Sequence, residues 1–175
     1  FVPMQMVYAD SAFSGGNGTM DDPYLITSAN DFKQLATEVN GGNNYSNTYF
    51  KIPETVTETI ELSTDDGYVP IGNDTNQFEG TFDGGNHTIN LNLTGERLVG
   101  LFGEGGENSN LCNIRTTGSV SMTGYYAGGI VANMYGNVVN CHNEASVTGY
   151  YHVGGIVGIS DNSKYIINCS NSGAI

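Results

Sequence analysis

The stretch VVNCHNEASV at residues 138–147 has two counterparts in this chain, LCNIRTTGSV at 111–120 and IINCSNSGAI at 166–175. The three stretches align without gaps, and their starts are 27 and 28 residues apart. A shorter match precedes each of them, because residues 100–103, 129–132 and 155–158 read GLFG, GIVA and GIVG. A degenerate earlier copy is visible in GTFD at 80–83 and TINL at 88–91. The chain therefore contains an internal repeat.

A repeat of this length cannot bury its apolar face alone, so it must stack against its neighbours. Its short apolar runs are broken by Gly and Asn, a pattern typical of short strands joined by tight turns. We predict an all-β fold, a parallel β-solenoid with coils of about 27 residues and one short N-terminal helix. Equivalent residues on adjacent coils then lie about 4.8 Å apart.

Stacking predicts rows of equivalent side chains, which we call ladders. Two ladders are apolar and face inward: Ile114, Cys141 and Cys169, and Val120, Val147 and Ile175. A third is a buried amide ladder in which each side chain bonds the next: Asn90, Asn113, Asn140 and Asn168. The aligned cysteines leave two alternatives, a disulfide or free thiols. Stacked parallel residues point the same way, which favours free thiols.

Composition agrees with a turn-rich β fold and excludes some functions. Gly makes up 25 of the 175 residues, and charged residues only 13 %. The formal net charge of −13 repels phosphate backbones and anionic membrane surfaces, so we expect no nucleic-acid partner. No run of residues approaches the ~18 consecutive apolar residues of a membrane helix, so we expect no membrane insertion.

The N-terminal part differs from the repeats. Residues 1–15 are interpreted as an apolar arm or the remnant of a secretory signal, and both interpretations favour export. The apolar side chains of the arm are Phe1, Val2, Met4, Met6 and Tyr8. Residues 16–62 are expected to form a cap region with a helix at 29–40, because Ser28 and Asp31 make a capping box before an apolar face. Residues 63–175 then form the solenoid.

The polar residues show no pattern of a catalytic or metal site. His87, His142 and His152 lack metal-ligand spacing. Two carboxylate pairs, at 21–22 and 65–66, resemble those of pectin-degrading β-helix enzymes, but the five basic residues are scattered along the chain. We therefore expect no catalytic residue, no cofactor and no metal.

Two Tyr pairs are the strongest candidate for a binding surface. Tyr125 and Tyr126 precede Tyr150 and Tyr151 by 25 residues, and each pair follows a Gly. Since this is close to one coil, the four rings either form an exposed stack that binds a sugar or a protein partner, or pack over a corner of the solenoid.

The repeats resemble the GLUG motif, named for Gly-Leu-hydrophobic-Gly, which residues 100–103 reproduce as GLFG. The preceding region, from GTMDDPYLI at 18–26 to FEGTFDGGNHTI at 78–89, resembles the lead-in of secreted GLUG-repeat proteins. The resemblance covers residues 16–175, with Ala132 in place of the last motif Gly. It implies a β-solenoid of secreted or cell-surface, adhesin-like proteins.

We therefore expect a non-enzymatic extracellular or cell-surface protein that acts in adhesion or structural assembly. Its partner would be itself, or a host or cell-surface protein or glycan. A glycan-binding module, a polysaccharide-active solenoid enzyme and a filament subunit stay open as alternatives. The filament hypothesis comes from the third repeat, which finishes at Ile175 without a cap. The arm of one copy would cover this end of another, unless the chain is a fragment of a longer protein.

Overall fold

The chain winds into a parallel β-solenoid of about five turns, with about 27 residues per coil, in a computed structural model that describes residues 13–160 and 164–175. This confirms the predicted fold class. The arm residues Phe1, Val2, Met4, Met6 and Tyr8 lie outside the described residues.

The described residues form short strands and one helix, α1 (Ala29–Asn40). The first nine strands are β1 (Tyr24–Leu25), β2 (Tyr49–Lys51), β3 (Ile60–Ser63), β4 (Thr81–Asp83), β5 (Thr88–Gly95), β6 (Leu98–Val99), β7 (Phe102–Gly105), β8 (Asn110–Cys112) and β9 (Arg115–Met122). The others are β10 (Tyr126–Gly128), β11 (Val131–Met134), β12 (Asn137–Val139), β13 (His142–Asn143), β14 (Ser146–Thr148), β15 (His152–Gly154), β16 (Val157–Ile159), β17 (Tyr165–Ile167) and β18 (Ser170–Asn171).

The strands stack into parallel sheets that run along the solenoid. Sheet A contains β1, β2, β4, β8, β12 and β17, and sheet B contains β3, β5, β9, β13 and β18, with β14 also paired to β9. Sheet C contains β7, β11 and β16, and sheet D contains β6, β10 and β15. A full coil therefore passes through sheets A, B, D and C in turn, as β8 to β11 do.

The predicted helix forms over 29–40 and begins with the predicted capping box. The Ser28 hydroxyl accepts from the backbone N–H of Asp31, and the Asp31 carboxylate accepts from the backbone N–H of Ser28. Its apolar face is buried, and the Phe32 ring lies 5.5 Å from the Phe82 ring in sheet A. Within the expected cap region, β1 and β2 already pair in sheet A, so this region contributes strands as well as the helix.

Inward side chains of equivalent coil positions form the core. Phe50, Phe82, Leu111 and Val138 stack in sheet A and are buried. In sheet B, Val120 pairs with Val147, and both are buried. Ile175, expected at the inward end of that ladder, is instead 62 % exposed, because no later coil among the described residues covers it.

The cysteine ladder faces inward. The backbone N–H of His142 donates to the carbonyl of Ile114, and that of Ser170 donates to the carbonyl of Cys141, so Ile114, Cys141 and Cys169 occupy equivalent positions. All three cysteines of the chain are free thiols. Burial raises the pKa of the Cys141 thiol to about 12.

The amide ladder differs from its expected form in membership and burial. Asn140 donates to Asn113 at 3.4 Å, and Asn168 donates to Asn140 at 3.3 Å. Asn90 does not belong to this row, because it pairs with Thr117; the register places Asn86 there. These residues lie at a turn where all have φ between 53° and 61°, a left-handed conformation that Asn tolerates. The turn directs the side chains outward, and Asn140 is exposed rather than buried.

Candidate functional site: an aromatic corner

Five aromatic side chains cluster where sheet B turns into sheet D. They come from the loops that precede β10 and β15 and from the first residue of each strand. We call this cluster the aromatic corner, and its members are Tyr125, Tyr126, Tyr150, Tyr151 and His152.

Backbone hydrogen bonds hold the two loops in register with the coil before them. The N–H of Tyr126 donates to the carbonyl of Arg97 at 2.8 Å, and the N–H of His152 donates to the carbonyl of Tyr125 at 2.9 Å. Gly124 permits this close stacking, since a Cβ at that position would lie 1.6 Å from the carbonyl oxygen of Glu96. The loop is therefore fixed by main-chain contacts rather than by the aromatic rings.

The rings stack along the solenoid axis. Tyr125 and Tyr151 lie 5.7 Å apart between ring centroids with an interplanar angle of 16°. Tyr126 and His152 lie 5.2 Å apart and are tilted by 31°. The two columns touch, because Tyr125 and Tyr126 lie 6.2 Å apart. These four rings form one continuous aromatic surface.

The pairing differs by one residue from the spacing in the sequence. An offset of 25 would place Tyr125 on Tyr150, whereas the structure stacks Tyr125 on Tyr151 and Tyr126 on His152. The backbone register sets this offset: it is 27 at Ser121 and Thr148 and falls to 26 at Tyr126 and His152, because the loop of the later coil is one residue shorter. His152 stacks on Tyr126 because the local offset is 26 rather than 25, and the spacing of the Tyr pairs alone does not reveal it.

The corner faces outward. Tyr125, Tyr150 and Tyr151 are 55 %, 77 % and 71 % exposed. These three rings therefore do not pack over the corner, whereas Tyr126 is half-buried. Large aromatic side chains left in water at neighbouring positions are typical of a binding surface.

The histidines are separated in the fold. His142 lies on the outer face of sheet B, where its ring nitrogens contact the Ser170 hydroxyl at 2.6 Å and the Glu144 carboxylate at 3.1 Å. His152 lies in the aromatic corner. Among residues 13–160 and 164–175, no three His, Cys, Asp or Glu side chains are placed to hold one metal ion.

A second surface feature is a cleft of about 620 Å³ on the outer side of sheet A. It contains three carboxylates and one ammonium group: Asp21, Glu54, Asp83 and Lys51. The Asp83 carboxylate forms hydrogen bonds within the protein. Its Oδ1 accepts from the N–H of Gly85 and from Nδ2 of Asn113, each at 2.9 Å. If the chain were a polysaccharide-active enzyme, the alternative raised above, its catalytic residues would have to lie in this cleft.

Two known proteins are similar to this chain. It is 33 % identical over 141 residues to a protein of Evansella cellulosilytica named as a Gly-rich membrane protein, an alignment that covers 77 % of this chain and 16 % of the relative. It is 35 % identical over 164 residues to halomucin of Haloquadratum walsbyi, covering 89 % of this chain and 2 % of halomucin. The chain thus spans less than a fifth of either relative.

No family model and no solved structure matches the chain. Within its described part, no helix has the length and apolar character needed to cross a membrane.

Proposed function

We propose that this chain is a secreted or cell-surface adhesion module, non-enzymatic, whose aromatic corner binds glycans. The observation that carries the proposal is the exposed, nearly parallel stack of Tyr125 on Tyr151. A Tyr side chain offers an apolar ring face and a polar hydroxyl at the same position. Sugar rings offer the same combination, with C–H groups on their faces and hydroxyls at their edges.

The rigidity of the corner supports this role. The backbone hydrogen bonds of Tyr126 and His152 position the rings before any ligand arrives. Binding to a preorganised surface loses less conformational entropy than binding to mobile loops. A stack of aromatic rings on a solenoid also repeats along one axis, which suits a polymeric ligand.

Membership of the GLUG-repeat family is part of the same proposal. The support is the motif itself, in GLFG at 100–103 and its counterparts, together with the solenoid fold that the resemblance implies. One similar protein is named as a Gly-rich membrane protein and the other as halomucin, and these names support a location at the cell surface.

The test is binding of the purified chain to an array of immobilised glycans. We expect binding that falls by about tenfold or more in the double variant Tyr125→Ala/Tyr151→Ala, because each ring contributes about 1 kcal/mol of stacking. Tyr165→Ala is the matched control, since Tyr165 is 62 % exposed but lies in sheet A, outside the corner. Thermal unfolding confirms that each variant folds.

Two results would contradict the proposal. One is a chain that binds no glycan on the array, and the other is a double variant that binds as well as the unaltered chain. Release of reducing ends from a bound polysaccharide would favour the enzyme alternative, and Lys51→Ala and Glu54→Gln would then place that activity in the sheet A cleft.

A further inference from the structure

A groove of about 480 Å³ lies on the same corner of the solenoid, one coil before the Tyr stack. One wall consists of Tyr68, Val69 and Pro70, and the other of Leu98 and Val99. Three charged side chains, Asp74, Glu96 and Arg97, also line it. We call this feature the corner groove.

The groove exists because the first coils lack a strand at the position of β6. The segment after β3 instead crosses this corner as a loop, and the buried hydroxyl of Tyr68 fastens it by donating to the carbonyl of Leu101 at 2.6 Å. The next residue, Val69, is 56 % exposed on the groove wall. The apolar wall is thus held in place by a buried hydrogen bond directly beside it.

The groove and the aromatic corner are continuous. Arg97, Tyr125 and Tyr151 each immediately precede a sheet D strand, and the backbone hydrogen bonds place them one above another on successive coils. With about 4.8 Å between coils, the strip from the level of Val69 to Tyr151 is about 14 Å long. This is the length of a short oligosaccharide rather than of a single sugar.

The charged side chains of the groove disfavour an anionic ligand. Arg97 and Asp74 form an ion pair at 2.8 Å in which both side chains stay largely exposed. Glu96 also lines the groove, so its acidic groups outnumber its one basic group. Together with the net charge of −13, this repels polyanionic glycans. An exposed Arg–Asp pair still offers N–H donors and carboxylate acceptors to the hydroxyls of a neutral sugar.

We propose that the corner groove and the Tyr125–Tyr151 stack together bind a neutral, extended oligosaccharide that lies along the solenoid axis. One end lies between Val69 and Leu98, with hydroxyls bonded to Arg97 and Asp74. The following units pack on Tyr125 and Tyr151. This rests on the proposed glycan-binding function and adds the ligand class, its orientation and a second subsite.

The test is titration calorimetry with cello-, xylo- and manno-oligosaccharides from disaccharide to hexasaccharide, beside oligogalacturonates and chitosan oligomers of equal length. We expect affinity for one neutral series to rise with length until the strip is filled. Arg97→Ala should weaken hexasaccharide binding by about tenfold and leave disaccharide binding on the Tyr stack unchanged.

Arg115→Ala is the matched control, because Arg115 is an exposed arginine paired with Glu144 on sheet B. It should bind every oligosaccharide as the unaltered chain does. Val69→Asp places a carboxylate on the apolar wall of the groove. Like Arg97→Ala, it should weaken binding of the hexasaccharide and leave binding of the disaccharide unchanged.

The two proposals fail in different ways. Unchanged hexasaccharide binding in Arg97→Ala and Val69→Asp would overturn the groove subsite while leaving the Tyr stack intact. Tighter binding of oligogalacturonate or chitosan oligomers would overturn the assignment of a neutral ligand. Disaccharide binding that survives Tyr125→Ala/Tyr151→Ala would overturn the proposed function itself.

Discussion

Asn143 donates from Nδ2 to Oδ1 of Asn171 on the next coil, at a distance of 2.7 Å. Asn143 is fully buried, and its side-chain oxygen accepts from the Thr116 hydroxyl on the preceding coil at 2.8 Å. The same side chain bonds both backbone groups of Ala145, accepting from its N–H and donating to its carbonyl. The buried polar ladder of this solenoid therefore passes through Asn143, three residues after the exposed Asn140.

Asn143→Leu should destabilise the chain by about 2–4 kcal/mol, because it leaves the Thr116 hydroxyl and both backbone groups of Ala145 without partners in the core. Urea unfolding followed by circular dichroism measures this free energy. The control is Asn140→Gly, which keeps the left-handed turn and removes only two exposed, long hydrogen bonds, and should cost within about 0.5 kcal/mol. Equal losses in both variants would contradict this assignment.

In two of the three repeats, the first Gly of the motif lies against the same ladder. A Cβ on Gly129 would lie 2.3 Å from the carbonyl oxygen of Gly155 and 2.4 Å from Oδ1 of Asn143, and a Cβ on Gly155 would lie 2.4 Å from Oδ1 of Asn171. Gly129→Ala should therefore destabilise by about 1–3 kcal/mol through overpacking. In a double-mutant cycle with Asn143→Ala, the Gly129→Ala cost should shrink in part, because the clash with the amide is gone while the clash with the Gly155 carbonyl stays. Additive losses would show that the Gly155 carbonyl alone requires the Gly.

Val147→Asp should place an unpaired carboxylate in the core beside Val120, since Val147 is fully buried. We expect a loss of several kcal/mol in the free energy of unfolding and a clear fall in melting temperature. Thr148→Asp is the control one residue later, where the side chain is exposed. The inward register of sheet B would be wrong if Val147→Asp melted at the temperature of the unaltered chain.

Cys141 should resist alkylation in the native state. Burial raises the pKa of its thiol to about 12, so almost no thiolate is present at pH 8. As the pH rises above the ordinary thiol pKa, the unfolded chain loses this proton while the native chain keeps it, so the Cys141 contribution to stability falls. Mass spectrometry after iodoacetamide treatment should show Cys169, which is half-buried, modified before Cys141. Faster modification of Cys141 would contradict its inward position.

The filament hypothesis concerns residues 1–9, which lie outside the described residues. If the arm of one copy joins head to tail with the next, sedimentation should show assemblies of the full chain at high concentration and loss of these assemblies when residues 1–9 are deleted. A chain that is monomeric at high concentration both with and without these residues would eliminate the hypothesis.

The sequence by itself determined the solenoid, the coil length and the helix. The gapless alignment of residues 111–120, 138–147 and 166–175, with side chains of similar character at matching positions, indicates one repeated unit, and such units are stable only when stacked. The capping box at Ser28 and Asp31 forms between residues that are close in sequence, so the start of the helix does not depend on the rest of the fold. The sequence also placed the Tyr pairs near one another, since their spacing is close to one coil.

Only the tertiary structure decided which side chains meet and which face water. At solenoid corners, strand alternation is interrupted by turns, so the pattern that assigns inward and outward positions along a strand no longer applies. For this reason Asn140 is exposed and Asn143 buried, although both recur in the repeat. For the same reason Tyr151, rather than Tyr150, stacks on Tyr125, since stacking depends on residue-by-residue backbone pairing and not on the spacing of the Tyr pairs.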